Sequence, residues 1–213
     1  MPPIRFPDPR WANEDGLVWV GGELTVENLL AAYRSGVFPW TVNPVSWWSP
    51  DPRGIFELDR FHIPKSLMKV LRQETFSITV NKAFAEVMAG CAECAPGRQN
   101  TWVTPEFIAA YTRLHKQGHA HSVECWRDGR LVGGIYGVAI GGLFAGESMF
   151  HRESNASKVA LTALVERLRE KGFSLFDIQM VTTITRQLGA VQIQREEYLR
   201  RLADAIVEPR VFV

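Results

Sequence analysis

The sequence predicts a mixed α/β fold, of the α+β kind, in which a central and largely antiparallel sheet is flanked by helices. Segments with the two-residue period of strands and segments with the spacing of helices follow one another along the chain. Three strand-like segments are consecutive between residues 119 and 150, and Asp128-Gly129 between the first two is a strong hairpin signal. No internal repeat or low-complexity tract is present in the sequence. These observations favour a layered domain over a repeat array or a parallel barrel.

The first third of the chain predicts one helix and a small N-terminal lobe. Thr25 can cap a helix at its start, and Gly36 can end it. Residues 37–59 contain too many prolines for a central strand or a long helix, and they predict loops and edge strands. The tryptophans of this segment either pack the lobe or offer a stacking platform for a nucleotide base. The sequence pattern alone leaves both interpretations open.

The remainder of the chain predicts strands and helices in alternation. A helix begins at Thr104-Pro105 and ends at Gly118. The other predicted elements are a helix over residues 64–72, a strand over 76–80, a helix from 84 to 88, strands over 119–126, 130–139 and 143–150, a helix from 155 to 172, a strand over 174–180 and a helix over 196–206.

The composition allows a substantial hydrophobic core. The chain has 213 residues, of which 46% are hydrophobic, and this length suits one domain or a domain with a small appendage. Lysine and arginine number 24 against 23 aspartates and glutamates. Any binding of nucleic acid therefore has to come from a local cluster of positive charge.

The N-terminus and the cysteines predict a cytoplasmic protein. Residues 1–10 lack the regions of a signal peptide, and no stretch is long enough to span a bilayer, so no membrane partner is expected. Cys91, Cys94 and Cys125 cannot all pair within one chain, which argues against a secreted disulfide framework. Cys91 and Cys94 form a C-x-x-C motif without a second pair, and buried or idle thiols are favoured over a zinc site.

The helix over residues 64–72 carries a basic stripe. Lys65, Lys69 and Arg72 fall at positions i, i+4 and i+7, which places three positive charges on one face. Such a stripe is either an ordinary solvated surface or a contact for nucleic-acid phosphates.

Asp177 and Gln179 share one face of the strand over residues 174–180. Their Cα atoms are expected roughly 6.5 Å apart, close enough for Asp177 to accept a hydrogen bond from the Gln179 side-chain nitrogen. That bond would aim the Gln179 oxygen outward as an acceptor. The alternative is that both side chains face water.

Glu147 stands among apolar and small residues, where a lone carboxylate is costly to bury unless it meets a cation. A bound ammonium group is one such cation, and Arg152 or Lys158 is the alternative partner. Gly146 beside it allows a bulge or the close approach of a ligand.

Other chemistries find little support. His119 and His121 could share a strand face, but no third metal ligand lies at a familiar spacing, so both are interpreted as structural and no metal is expected. The sequence has no phosphate-binding loop of the G-x-x-x-x-G-K-[ST] type and no G-x-G-x-x-G fingerprint. Use of ATP, a dinucleotide or another cofactor is therefore not expected.

Seven short motifs stand in order along nearly the whole chain. They are Phe38-Pro-Trp40, Trp47-Trp-Ser-Pro-Asp-Pro-Arg53, Thr101-Trp102, His119-Ala-His-Ser122, Gly146-Glu-Ser-Met-Phe150, Asn155-Ala-Ser-Lys158 and Leu188-Gly-Ala190. Read together, they closely resemble the leucyl/phenylalanyl-tRNA–protein transferase family. Such an ordered set is far more specific than any single motif.

The resemblance implies a fold and an activity. Members of the family have a small N-terminal domain, here residues 1–61, followed by a GNAT-like acyltransferase domain, here residues 62–213. They transfer leucine or phenylalanine from charged tRNA to proteins that begin with arginine or lysine, which marks those proteins for degradation through an N-degron pathway. Methionine is a further candidate donor for this chain. A monomer without a cofactor is the family-level expectation.

The resemblance also assigns residues. It implies contacts of Trp40 and Trp102 with the terminal adenosine, of Lys65, Lys69 and Arg72 with the acceptor stem, and of Ile135, Phe144, Leu164 and Leu168 with the aminoacyl side chain. Phe144 and Glu147 can share a cleft only if the strand bulges near Gly146. Leu164 and Leu168 stand where some relatives have aromatic residues, and residues 181–186 also depart from the usual pattern.

Glu147, Asp177 and Gln179 are the catalytic candidates. Because the aminoacyl ester is already activated, much of the catalysis can come from positioning. Gln179 is expected to accept a hydrogen bond from the attacking amine, Asp177 to polarise it, and Glu147 to orient bound amino groups. The rival functions are a GNAT-type acyl-CoA N-acyltransferase, for which no pyrophosphate loop can be placed, and a tRNA-binding protein without catalysis.

Overall fold

The structure, a computed structural model, describes residues 2–93 and 101–213. Its helices are α1 (Val26–Arg34), α2 (Lys65–Arg72), α3 (Phe84–Ala92), α4 (Pro105–Lys116), α5 (Ala156–Glu170), α6 (Thr183–Gln187) and α7 (Arg195–Ala205). Its strands are β1 (Leu17–Val20), β2 (Phe38–Val42), β3 (Val45–Trp48), β4 (Arg53–Phe56), β5 (Ser77–Val80), β6 (Ala120–Arg127), β7 (Arg130–Ile140), β8 (Leu143–His151), β9 (Leu175–Gln179) and β10 (Ala190–Ile193). Of the helices in the described ranges, none has both the length and the apolar character needed to cross a membrane.

Seven strands form one sheet in the order β10-β4-β9-β8-β7-β6-β5. Neighbouring strands are antiparallel except β8 and β9, which run parallel. The three strands predicted between residues 119 and 150 are β6, β7 and β8, paired in succession. Asp128 and Gly129, both with positive φ, form the turn between the first two. The prediction of a mixed α/β fold with a largely antiparallel central sheet is confirmed.

Helices cover both faces of this sheet. On one face, α3 and α4 bury a cluster that includes Phe107 and Tyr111. On the other face, α2 and α5 bury a second cluster that includes Phe144 and Leu164. Helix α7 packs against β9 and buries a smaller cluster around Tyr198. Strands β8 and β9 therefore lie in the interior of this sheet, with helices packed on both of its faces.

A second sheet, of three antiparallel strands in the order β1-β3-β2, forms the N-terminal lobe. Thr25 caps α1 by accepting a hydrogen bond from the Asn28 N–H, and Gly36 follows the helix at a φ of 77°, both as predicted. Trp47 is fully buried in the lobe, whereas Trp40 remains partly exposed. The tryptophans of this segment thus divide between packing and an accessible surface.

Strand β4 departs from the prediction. It lies between β10 and β9, so the expectation of loops and edge strands over residues 37–59 is wrong for this strand. Pro52 stands just before β4, where its missing N–H removes no hydrogen bond from the ladder.

Sequence patterning also does not predict β1, β10 and α6, which are all short. The division of the chain between residues 61 and 62 stays a prediction.

Candidate active site

A bulge in β8 takes Glu147 out of the regular alternation of the strand. On the opposite strand, Tyr136 pairs with Ser148 and Gly137 pairs with Gly146, so Glu147 is the extra residue. A bulge of this kind re-aims one side chain while the ladder continues on either side. The bulge that Gly146 was expected to allow is therefore present, although Phe144 does not line the cleft with Glu147.

A second bulge lies in the neighbouring strand β9. Against β4, Gly54 pairs with Gln179 and Ile55 pairs with Asp177, which leaves Ile178 as the extra residue. Gln179 then adopts a φ of 56°, in the left-handed region that few residues other than glycine occupy. The parallel pairing between β8 and β9 ends at Asp177, so the two strands part at the position of the two bulges.

A cleft of about 230 Å³ occupies this opening. It is lined by Phe38, Pro39, Trp40, Trp102, Glu147, Ile178, Gln179, Met180 and Thr182. A mostly apolar lining with a few placed polar groups is typical of sites for small ligands. The structure thus brings together four residues that the sequence analysis singled out separately, namely Trp40, Trp102, Glu147 and Gln179.

A second groove shares two residues with the cleft. Besides Trp40 and Trp102, it is lined by Thr41, Val42, Asn43, Thr101 and Thr104. The two tryptophans therefore border both cavities, and a ligand longer than the cleft can continue past them.

Glu147 is partly buried at the polar side of the cleft. Its Oε1 accepts a hydrogen bond from Gln179 Nε2 at 3.1 Å, and its Oε2 accepts one from the Tyr111 hydroxyl at 3.4 Å. The Tyr111 hydroxyl is also hydrogen-bonded to that of Tyr33. Burial raises the pKa of the Glu147 carboxyl to about 8, and the tyrosine hydroxyls oppose the rise only in part. This carboxyl can therefore gain or lose a proton near neutral pH.

The alternative ion pairs for Glu147 are wrong. Arg152 binds Glu93 at 2.5 Å, and the Lys158 ammonium donates to Asn155 at 3.1 Å. The bulge directs the Glu147 side chain into the cleft and not toward these two cations.

Asp177 and Gln179 are both buried, so the alternative in which they face water is wrong. The predicted hydrogen bond between their side chains is also wrong. The side chain of Gln179 donates to Glu147, and it is the backbone N–H of Gln179 that donates to Asp177 Oδ1, at 2.9 Å. The left-handed turn at Gln179 explains this difference, because it removes the regular strand geometry on which the prediction depended.

Arg53 is the residue beside the site whose place sequence patterning missed. Its Nε donates to Asp177 Oδ1 at 2.9 Å and its Nη2 donates to Oδ2 at 2.7 Å, with both side chains almost completely buried. The Tyr198 hydroxyl donates to the same Oδ2 at 2.9 Å. Burial opposes the charge of Arg53, but the attraction of Asp177 keeps the pKa of the guanidinium above its ordinary value. A buried carboxylate needs a cation as its partner. Arg53, at the end of a segment rich in tryptophan and proline, was the candidate cation that the sequence offered.

The four residues predicted for the aminoacyl pocket pack together, but not around the cleft. Ile135, Phe144, Leu164 and Leu168 belong to the core cluster beneath α5 and are at most 5% exposed. None of them is among the residues that line the cleft. Ile178 connects the two regions, because it lines the cleft and also packs against this cluster. An apolar side chain that enters at Ile178 would have to part these residues.

The predicted basic stripe lies on α2. Lys65, Lys69 and Arg72 are exposed, while Leu67 on the opposite side of the helix is buried. The three basic side chains therefore share an exposed face of α2, as their spacing predicts. Contact of this face with nucleic-acid phosphates stays a prediction.

Cys91, Cys125 and the histidines are not among the residues that line the cleft. Cys91 and Cys125 are buried free thiols, and Cys94 lies outside the described residues. His121 stacks on Phe212 with ring centroids 4.5 Å apart, and its Nδ1 is hydrogen-bonded to Asn81. Within the described ranges, no group of three or more histidine, cysteine and acidic residues could hold a metal ion.

The fold and the cleft together define an α/β protein with an enzyme-like site. Its central sheet parts at two bulges, and the opening contains a protonatable carboxyl, an amide and an aromatic wall. The chain belongs to the leucyl/phenylalanyl-tRNA protein transferase family. The family model matches residues 55–203, and the model of the family's N-terminal domain matches residues 22–51.

Related proteins match this sequence over almost the full chain. A leucyl/phenylalanyl-tRNA–protein transferase from Nitratidesulfovibrio vulgaris is 50% identical over 207 residues, covering 96% of this chain and 88% of that protein. One from Magnetococcus marinus is 50% identical over 211 residues, covering 96% of this chain and 89% of that protein. One from Shewanella sp. is 46% identical over 215 residues, covering 98% of this chain and 91% of that protein.

Solved structures give weaker likenesses. The structure of L-PGS from Bacillus licheniformis matches with a TM-score of 0.45 and 15% identity, over 74% of this chain and 51% of that chain. A GCN5-related N-acetyltransferase from Kribbella flavida matches with a TM-score of 0.43 and 13% identity, over 76% of this chain and 59% of that chain. The family assignment rests on the sequence matches.

Proposed function

We propose that this protein transfers leucine or phenylalanine, with methionine as a third donor amino acid, from aminoacyl-tRNA to the N-terminal α-amine of a protein. The observation that carries the proposal is the cleft, in which Glu147 and Gln179 lie beside Trp40 and Trp102. Membership in the leucyl/phenylalanyl-tRNA protein transferase family supports it.

The donor end of tRNA suits the aromatic part of the site. An adenine ring can stack on a tryptophan, and Trp40 and Trp102 both border the cleft and its neighbouring groove. The exposed charges of Lys65, Lys69 and Arg72 offer contacts to acceptor-stem phosphates. Stacking would then place the ester near Gln179, while the basic helix holds the stem.

The aminoacyl side chain is assigned to the region of Ile135, Phe144, Leu164 and Leu168. These residues are packed against one another and are almost completely buried. Entry of the aminoacyl side chain past Ile178 therefore requires a local rearrangement of the core. Leucine, phenylalanine and methionine differ in shape but are all apolar. Discrimination among them by an apolar pocket is modest, of the order of 1–3 kcal/mol per methylene.

The reaction is an exchange of an ester for a peptide bond. The lone pair of a neutral α-amine attacks the carbonyl carbon of the ester, and the bond between that carbon and the ribose oxygen breaks. The nitrogen loses one proton, and the ribose oxygen gains one. Because the ester is already activated, positioning of amine and carbonyl supplies much of the rate enhancement.

Gln179 and Glu147 divide the work of holding the amine. The Gln179 nitrogen is engaged by Glu147, which fixes the amide and leaves its oxygen as an acceptor for an N–H of the attacking amine. Glu147 orients the amino group, and its pKa of about 8 lies close to that of an α-amine, so a proton can be shared between them at little cost. Asp177 contributes through the backbone of Gln179, whose N–H it accepts, while Arg53 offsets its charge.

The acceptor is a protein that begins with arginine or lysine, and the product is a substrate for degradation through an N-degron pathway. We propose these assignments and a monomeric state on the strength of the family resemblance, and we propose a cytoplasmic location with them. Within the described lining of the cleft, Glu147 is the one acidic side chain, and the aromatic rings offer a second kind of surface for a cation.

The test is a transfer assay with labelled Leu-tRNA, Phe-tRNA and Met-tRNA. Each is incubated with a peptide that begins with arginine and with the same peptide acetylated at its N-terminus. Label should pass to the free amine and not to the acetylated control. Absence of transfer from all three donors would reject the proposal, and turnover of acetyl-CoA with the same peptide would support an acyl-CoA acetyltransferase instead.

A further inference from the structure

We propose that Arg53 is a positioning residue of the active site, which acts through Asp177 to hold Gln179 in its working conformation. The inference rests on the proposed function, because it concerns the residue that accepts a hydrogen bond from the attacking amine. Arg53 itself does not line the cleft. Its effect has to pass through the groups that it contacts.

Asp177 Oδ1 is the first link. This one oxygen accepts both the Arg53 Nε–H, at 2.9 Å, and the backbone N–H of Gln179, at 2.9 Å. The guanidinium therefore fixes the acceptor that anchors the Gln179 backbone. A planar guanidinium that binds a carboxylate through two parallel hydrogen bonds sets the orientation of the carboxylate as well as its position.

The backbone of Gln179 is the second link. A φ of 56° is unfavourable for a residue with a side chain, and it persists only where the surroundings determine it. The bond to Asp177 is one determinant, and it is what turns the Gln179 side chain across to Glu147 at 3.1 Å instead of along the strand. Loss of the carboxylate orientation would therefore release the amide that faces the substrate.

Three contacts hold the guanidinium in turn. Nη1 donates to the Gly36 carbonyl oxygen at 3.2 Å, the ring of Phe38 lies 5.0 Å from Cζ, and the ring of Tyr198 lies 4.3 Å from it. The Tyr198 hydroxyl also donates to Asp177, so α7 clamps both members of the ion pair. Phe38 lines the cleft, which ties the same cation to the aromatic wall. Each of the three guanidinium nitrogens is thus hydrogen-bonded to a group outside β4.

Stability alone is a poor explanation for this arrangement. A buried ion pair often contributes little net stability, because the desolvation of two charges offsets their attraction. An apolar pair of similar volume would fill the same space at the junction of β4, β9 and α7. What an apolar pair could not do is bind the Gln179 N–H and so fix its backbone.

The test compares single and double variants in the transfer assay. Arg53→Lys keeps the charge but loses the two parallel bonds, and we expect kcat to fall at least about tenfold. In a Gln179→Ala background, the same substitution should lower kcat by less than about twofold, since the residue through which it acts is gone. A purely structural role would instead multiply the two losses, and that result would overturn the proposal, as would wild-type kcat in folded Arg53→Lys.

Arg201→Lys is the matched control. Arg201 ties α7 to Glu57, the residue after β4, at 2.7 Å, but it makes no contact with Asp177. Its kcat should stay within about twofold of the wild type. A loss as large as that of Arg53→Lys would mean that loosening the junction is enough, and it would overturn the proposal.

Two further measurements keep the outcome decisive. If Arg53→Lys does not fold, Tyr198→Phe removes only one hydroxyl bond to Asp177, and its smaller loss of kcat should likewise vanish in the Gln179→Ala background. Crystal structures of the wild type and Tyr198→Phe, or Arg53→Lys where it folds, test the geometry even if the wild type transfers no amino acid. We expect the bond from Gln179 to Glu147 to lengthen or break in the variant, and an unchanged Gln179 would overturn the proposal.

Discussion

The side chains of Gln179 and Glu147 meet across the opening between β9 and β8, with Gln179 Nε2 donating to Glu147 Oε1 at 3.1 Å. Two regular strands would not bring these side chains together. Glu147 reaches the opening because of the bulge in β8, and Gln179 reaches it because Ile178 is an extra residue in β9. Each strand alone would direct its polar residue elsewhere, so the pair depends on both irregularities.

Gln179→Ala should lower kcat by about 100-fold, since the acceptor for the attacking amine and the partner of Glu147 are lost together. The Michaelis constant for aminoacyl-tRNA should change by less than about threefold, because the tRNA contacts are remote from this side chain. Steady-state transfer to an Arg-initiated peptide measures both. Gln187→Ala, at an exposed glutamine of α6, is the control and should retain wild-type kcat. A folded Gln179→Ala protein with the wild-type rate would remove Gln179 from the mechanism.

Glu147→Gln should make the stability of the protein less dependent on pH. The folded pKa of Glu147 is raised to about 8 from an ordinary value of 4.5, so its favourable contribution is fully present below about pH 4.5 and is lost as the pH rises through about 8. The wild type should therefore lose stability relative to the variant between pH 5 and 9. We expect about 1–3 kcal/mol, less than the full linkage value because the carboxyl is partly exposed.

Chemical denaturation at several pH values measures this difference. Glu166→Gln, at an exposed position of α5, should show the same pH dependence as the wild type. A difference between the wild type and Glu147→Gln that stays constant with pH would show that the folded pKa of Glu147 is ordinary.

Regular elements could be predicted from the sequence because their signals are local. Thr25 at the start of α1, Asp128-Gly129 between β6 and β7, and the basic spacing on α2 each act within a few residues. The partner of Asp177 could not be predicted in this way. Arg53 lies 124 residues away in the chain, and only the order of strands in the sheet brings it beside Asp177.

The bulges mark a second limit of sequence patterning. A strict period of two places Asp177 and Gln179 side by side on one face, but the extra residue at Ile178 and the left-handed turn at Gln179 break that period. Gly146 signals that a bulge is allowed in β8. It does not say that Glu147 is the residue displaced.

Gly54→Ala should disturb the segment that follows Gln179. A Cβ atom at residue 54 would lie 2.8 Å from the Met180 carbonyl carbon and 2.9 Å from the Val181 nitrogen, which are backbone atoms that cannot rotate away. We expect a loss of about 1–3 kcal/mol in the free energy of unfolding and a larger relative loss of kcat than the stability change alone explains. Thermal unfolding and the transfer assay measure the two effects.

Gly129→Ala is the comparison for Gly54→Ala. Nothing lies within 4 Å of a Cβ atom at residue 129, so any cost there comes from its φ of 74° and not from a contact. Its kcat should remain near that of the wild type while its stability falls. Unchanged stability and kcat in Gly54→Ala would contradict the close approach of β4 to the end of β9.

Lys65→Ala should weaken the binding of aminoacyl-tRNA in a salt-dependent way. If the residue contacts a phosphate, the slope of log K against log salt should become shallower by about 1, and the affinity at low salt should fall several-fold. Binding measured at several salt concentrations provides the slope. Lys116→Ala, at an exposed lysine on α4, is the control and should leave the slope unchanged. Equal slopes for the wild type and Lys65→Ala would assign this lysine to the solvated surface.

Trp102→Leu should weaken recognition of the tRNA end without altering the salt dependence. The indole lines the cleft and packs edge-on against Phe107 with ring centroids 5.0 Å apart, which fixes the plane that it presents to a base. Loss of a stacking partner costs about 1–3 kcal/mol, so affinity for the donor should fall about 10- to 100-fold. Trp102→Phe keeps a smaller ring and should lose less. Trp19→Leu, at an exposed position of β1, is the control.

A short donor separates the effects of Trp102 and Lys65. An aminoacyl-adenosine fragment has the terminal base and the ester but no acceptor stem, so Trp102→Leu should weaken its binding as much as that of full-length tRNA. Lys65→Ala should leave its binding unchanged, because the phosphates that this lysine contacts are missing from the fragment. If both substitutions affected the fragment alike, the basic helix would act on the cleft itself, and its assignment to the acceptor stem would have to be given up.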